Sequence, residues 1–115
     1  MFARHPLVTI TTLVDPFDED DVGQVLHLFY KHAKFGRRLH VIHLDRLWSV
    51  SSFALRALVL AVRTARQYDG DVHLVAARPC IVRGLELSGF KHVVEIYPST
   101  PEAVFAFRQQ PRKAG

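Results

Sequence analysis

Cysteine is almost missing from this chain. Cys80 stands alone among 115 residues, so no disulfide can form within it. That usage fits a reducing compartment, and stability must come from a packed core. Long apolar runs are missing too: none approaches the roughly 18 residues of a membrane-spanning helix. The opening Met1–Pro6 lacks the apolar core and cleavage site of a secretory signal, so a cytoplasmic location is expected. Walker-type and dinucleotide glycine motifs are absent, as is a nucleophile elbow. Cys80 does not open a Cys-x5-Arg phosphate loop, because Glu86 stands where the arginine would be. These absences remove the common routes to catalysis, and no catalytic residue is assigned.

Seven histidines invite a metal reading, but their spacing argues against it. His40 and His43 lie three apart on an expected strand, where such residues point to opposite faces. His27 and His32 are five apart on an expected helix, and no cysteine joins them at zinc-like spacing. No metal or cofactor is expected. Net charge is +4, with acids gathered at Asp15 and Asp18–Asp21 and bases on the central helix and in the tail from Arg108 to Lys113. No aromatic-basic repeat accompanies that charge, so nucleic acid is not an expected partner. Arginines on one helix face are more simply a solvated face or a landing site for an acidic protein.

What is present is an alternation. Leu7–Val14 is rich in β-branched residues and reads as a strand. Asp18 can cap the helix that follows, in which Val22, Val25, Leu26 and Phe29 recur at the spacing of one buried face. Leu39–Leu44 is a second strand. Ser51 or Ser52 caps a central helix, with Leu55, Leu58, Val59 and Val62 as its expected inward stripe. Ala54, Ala57, Ala61 and Ala65 permit close packing, and Arg56, Arg63 and Arg66 form a polar flank. Asp69-Gly70 is a turn, Val72–Ala76 a third strand, and Pro79 suits the first turn of a short helix. Val93–Tyr97 is a fourth strand, and Ser99-x-x-Glu102 opens a final helix. The tail from Gln109 is polar and expected to fray. Strands alternating with helices at these lengths give an α/β fold with helices packed on a sheet.

Three motifs carry a resemblance. Asp15-Pro16-Phe17-Asp18 precedes the first helix, Ser51-Ser52-Phe53-Ala54-Leu55 opens the central one, and Glu86-Leu87-Ser88-Gly89-Phe90 ends the short one. In this order the chain resembles the STAS domain family, the fold of bacterial anti-sigma-factor antagonists. The resemblance runs nearly end to end, with the opening strand clipped to Phe2-Ala3-Arg4 or less. It implies a single domain over residues 1–108 and a polar tail over 109–115. The sheet is expected to be mixed, with about four to five strands packed against about four helices.

The family's Asp-Ser-Ser-Gly-Leu motif falls, without gaps, on Ser51 to Leu55, and its phosphoacceptor, the second hydroxyl, falls on Phe53. Sliding by one residue would make Ser52 the acceptor, but that needs an insertion, so the ungapped reading is preferred. Phe53 cannot take phosphate; it can be an aromatic anchor for a partner, or it can fold under the helix. Ser51 and Ser52 read as helix caps first and as possible phosphorylation sites second. Asp18 is a cap that, by resemblance, shares the partner-facing rim. Trp48 is a lid over the core or an exposed anchor, the core reading leading slightly.

The expected partner-binding set is therefore Asp18, Trp48, Ser51, Ser52, Phe53, Ala54 and Arg56. The resemblance implies a non-catalytic interaction domain acting on a kinase-like anti-sigma factor or on other STAS proteins in a stress-signalling assembly. A homodimer is also compatible. The alternative is a STAS subunit of a lipid-type ABC transporter. Nucleotide binding rests on family analogy alone.

Overall fold

The computed structural model describes residues 7–109. The clipped opening strand and the tail beyond Gln109 fall outside the described residues. Four strands, β1 (Val8–Thr12), β2 (Leu39–His43), β3 (Asp71–Val75) and β4 (Ile96–Tyr97), lie side by side in chain order. Helices α1 (Glu19–Lys34), α2 (Ser52–Gln67) and α3 (Pro79–Leu87) connect them, and α4 (Thr100–Gln109) follows. Each of the three strand pairings is parallel, with Val8 opposite Leu39, Leu39 opposite Asp71 and Leu74 opposite Ile96. The sheet is thus parallel throughout the described residues, where a mixed one was expected. Each connection is a helical crossover, which returns the chain to start the next strand in the same direction.

The sheet is covered on both faces, and the sequence of β2 shows why. His40, Val41 and Ile42 are buried in succession, as in a strand with helices above and below. One face packs Ile42, Val72 and Leu74 against Phe29 of α1, Ala57, Leu58 and Val62 of α2, and Ile81 and Leu85 of α3. The other packs Val41 and Val75 against Ala103 and Phe107 of α4. His73 belongs to this second face: its ring stacks on Phe107 at 3.6 Å between centroids, and its Nδ1 lies 2.9 Å from the Ala103 carbonyl.

The helix ends follow their residues. Asp18 and Asp21 form a reciprocal capping box at α1: the Asp21 N–H donates to Asp18 (3.2 Å) and the Asp18 N–H donates to Asp21 (2.8 Å). At the turn after α2, Gly70 is required by a close approach, since a Cβ there would stand 2.1 Å from the Arg38 carbonyl oxygen.

Two further expectations change. The inward stripe of α2 is Ala54, Ala57, Leu58, Ala61, Val62 and Ala65, while Leu55 is half-buried and Val59 is exposed. The small residues win because α1 and α2 lie against each other and alanine allows the closest approach. The fourth strand shrinks to Ile96–Tyr97. Gly89 takes a left-handed conformation after α3, Phe90–His92 winds into a 3-10 turn, and Val94 drops into the core before pairing begins.

Candidate functional site

The candidate site is the segment from Asp45 to Arg56, where the chain leaves β2 and enters α2. Three anchors fix it. The Asp45 carboxylate accepts the backbone N–H groups of Ala77 and Arg78, each at 3.0 Å, tying the exit of β2 to the exit of β3. The Arg78 guanidinium returns the connection, donating to the carbonyls of Asp45 (3.0 Å) and Leu47. Asp15, beyond β1, accepts the N–H of Trp48 and that of Phe17. Below the loop, Leu47 is buried and Val50 packs on the core. Val50 sits so close to α3 that a Cβ on Gly84 would stand 2.8 Å from its Cγ2. An added methyl there would push this loop outward.

With the loop held from behind, its outer face is presented. Trp48 is 70% exposed, which corrects the reading of it as a lid over the core. Its backbone, not its ring, does the anchoring: the N–H goes to Asp15, and Cys80 donates through sulfur to its carbonyl at 3.7 Å. Ser51 is the N-cap of α2, its Oγ accepting the Ala54 N–H at 3.1 Å. Ser52 begins the helix and is exposed, with no hydrogen bond to its hydroxyl among the described residues. The Phe53 ring is 38% exposed, neither folded under the helix nor fully free. Ala54 is fully buried in the core and offers nothing to a partner. Arg56 is exposed one turn on.

Asp18 lies apart on α1, occupied by its capping box. It connects to the site through the turn that holds Asp15. No acid stands in the first turn of α2, so no side chain of that turn offsets the positive end of its dipole, and Arg56 follows one turn along. An open groove of about 860 Å³ lies elsewhere, between β1 and α1, and shares no residue with this segment. Among the described residues, no group of three or more His, Cys, Asp or Glu is placed to hold a metal ion.

Sequence reasoning missed Asp15, Asp45, Arg78 and Gly84, which hold the site without facing outward. Asp45 and Arg78 each stand just past the end of a parallel strand, a position from which a side chain can reach across to the neighbouring strand's exit. That placement was the available signal.

The family model described as the STAS domain matches residues 1–103. Over 73 residues the chain is 33% identical to BtrV of Bordetella bronchiseptica, a protein assigned as an anti-sigma factor antagonist. That alignment covers 64% of this chain and 63% of the relative. A protein of Thermotoga maritima assigned as an anti-sigma factor antagonist superposes with a TM-score of 0.73 at 20% identity, over 88% of this chain and 87% of its own. A STAS domain protein of Planctomyces limnophilus superposes at 0.72 with 20% identity, over 92% and 95%. These two show the shared fold. No described helix is long and apolar enough to cross a membrane.

Proposed function

This chain belongs to the STAS domain family, and we propose that it is a non-catalytic docking domain for a kinase-like anti-sigma factor, one that phosphate at the usual position does not switch off. The observation that carries this reading is the partly exposed Phe53 on the first turn of α2, with the 70% exposed Trp48 in the loop that leads into it. Exposed aromatics on a fixed loop and helix start are typical binding anchors, since large rings bury much area at low entropic cost. A phosphoryl group would add nearly two negative charges to such a contact, and Phe53 has no oxygen to accept one.

Two hydroxyls remain nearby. Ser51 is engaged in capping, while Ser52 is exposed where a helix dipole favours an anion. Ser52 is therefore the residue through which a kinase could still act on this surface.

The test is co-purification from native lysate with mass-spectrometric identification. The tagged chain is expected to recover a kinase-fold anti-sigma factor from the soluble fraction, and Phe53→Asp and Trp48→Ala to lose it. Incubating the recovered kinase with ATP and the chain, then measuring intact mass, reads phosphate on Ser52. Recovery of a permease and its ATPase from the membrane fraction instead would favour the transporter reading.

A further inference from the structure

The two edges of the sheet are built differently. β4 offers two residues, a blunt edge. β1 offers five, and from Leu7 to Val14 the chain contains no charge, proline or glycine, the devices that usually protect an edge. The Leu13 N–H donates to the His43 carbonyl at 3.1 Å, so odd-numbered residues here address β2. By the alternation of a strand, Val8, Ile10 and Thr12 aim their N–H and C=O groups at the outer edge, which no described strand pairs. Apolar side chains surround it: Leu7 is 67% exposed, Ile10 52%, Val14 46% and Leu28 of α1 36%. The groove between this edge and α1 is lined near one end of the helix by Asp20 and Asp21 and further along it by His27 and Lys31.

We propose that β1 pairs antiparallel with β1 of a second copy of this chain, about a two-fold axis near Ile10, so that two four-stranded sheets become one. The charge pattern of α1 selects a second copy as the occupant. Its first turn carries Glu19, Asp20 and Asp21, and its last turn Lys31, His32 and Lys34. The axis keeps both α1 helices on the same side of the joined sheet and runs them in opposite directions along the seam. The acidic end of each then meets the basic end of the other, as a self-complementary interface requires. On the opposite face Ile10 meets its own counterpart across the axis. This surface is separate from the start of α2, and the inference stands without the docking role.

Sedimentation velocity on the full chain, over a roughly hundredfold concentration range, tests it. The expected result is a monomer converting to a dimer. Ile10→Pro removes an outward N–H and leaves the ladder to β2 intact, so the dimer is lost while circular dichroism stays unchanged. Ile10→Lys, which places like charges at the axis, gives the same loss should the proline variant fail to fold. Asp20→Lys and Lys31→Asp each weaken the dimer by about three- to tenfold, and combining them restores it. A chain that stays monomeric overturns the proposal, as does a dimer indifferent to Ile10 and to the charge exchange. Dimerisation that appears only after deletion of residues 2–6 overturns it too, assigning the edge to the chain's own N-terminus.

Discussion

Acid should loosen this protein through one ring, His40. It is 1% exposed on β2 and stacks on Phe29 of α1 with centroids 4.3 Å apart. Its Nδ1 is buried without a hydrogen-bond partner among the described residues. Burial disfavours the imidazolium, and His32, 6.0 Å away, adds repulsion, while a hydrogen bond with the Arg37 backbone works the other way. The balance lowers its pKa from 6.5 to about 4. Because the folded value lies below the unfolded one, the neutral ring's contribution is complete above pH 6.5 and is lost as pH falls toward 4. Linkage gives a loss on the order of 2 kcal/mol at pH 5 and on the order of 3 kcal/mol at pH 4. That is a large share of a small domain's stability, which is about 5–15 kcal/mol.

Urea unfolding at pH 7.5 and pH 5, for the wild type and for His40→Leu, isolates this contribution. Carboxylates and other histidines contribute to both proteins and cancel in the difference. The wild type is expected to lose about 2 kcal/mol more than the variant on acidification, with unchanged m-values. Parallel losses in the two proteins would refute the argument, as would an NMR titration placing His40 near 6.5.

Three further outcomes test the architecture around α2. Gly84→Ala drives a methyl against Val50 and should cost about 1–3 kcal/mol, whereas Gly23→Ala, with open space around its Cβ in mid-helix, should gain about 0.5–1 kcal/mol; thermal melts compare them directly. Arg78→Ala removes the donors to the Asp45 and Leu47 carbonyls, and hydrogen exchange is expected to quicken in residues 46–50 while α1 stays protected. Ser51→Ala deletes a cap worth about 1 kcal/mol, while Ser52→Ala, which breaks no hydrogen bond, should leave the urea midpoint within about 0.5 kcal/mol of wild type.

Periodicity made most of this fold legible. Val22, Val25 and Phe29 are buried as their spacing requires, and the Asp18 cap and the Asp69-Gly70 turn fall where residue chemistry put them. Pattern failed where packing distance decides. Hydropathy ranks Val59 above Ala54, but a helix lying against its neighbour seats the smaller residue, and Val59 turns outward. It failed again at Trp48, because aromaticity favours burial while the loop that carries it is tethered by its backbone. Asp45 and Arg78 stand at strand ends that the sequence does reveal, but which groups they bond, across more than thirty positions, depends on strand order, which composition does not encode.

Those long-range bonds bear on how the proposed docking surface around Trp48 and Phe53 could work. A docking loop ordered only on binding spends part of its contact energy on that ordering. Here the loop is tied to the exits of β1 and β3 through Asp15, Asp45 and Arg78, and its cap is closed by Ser51. The aromatics are therefore positioned before any partner arrives. In the proposed role, regulation then has to act either on Ser52, the exposed hydroxyl at the helix start, or on the partner itself. Modification at Ser52 would place a dianion beside Phe53 and Arg56, where the helix dipole and the guanidinium stabilise it in the free domain. The same charge opposes burial of the neighbouring ring in a complex, so a phosphate there would raise the domain's own stability while weakening docking. Measuring both on phosphorylated chain separates this arrangement from simple steric blockage, which would weaken docking and leave the melting temperature where it was.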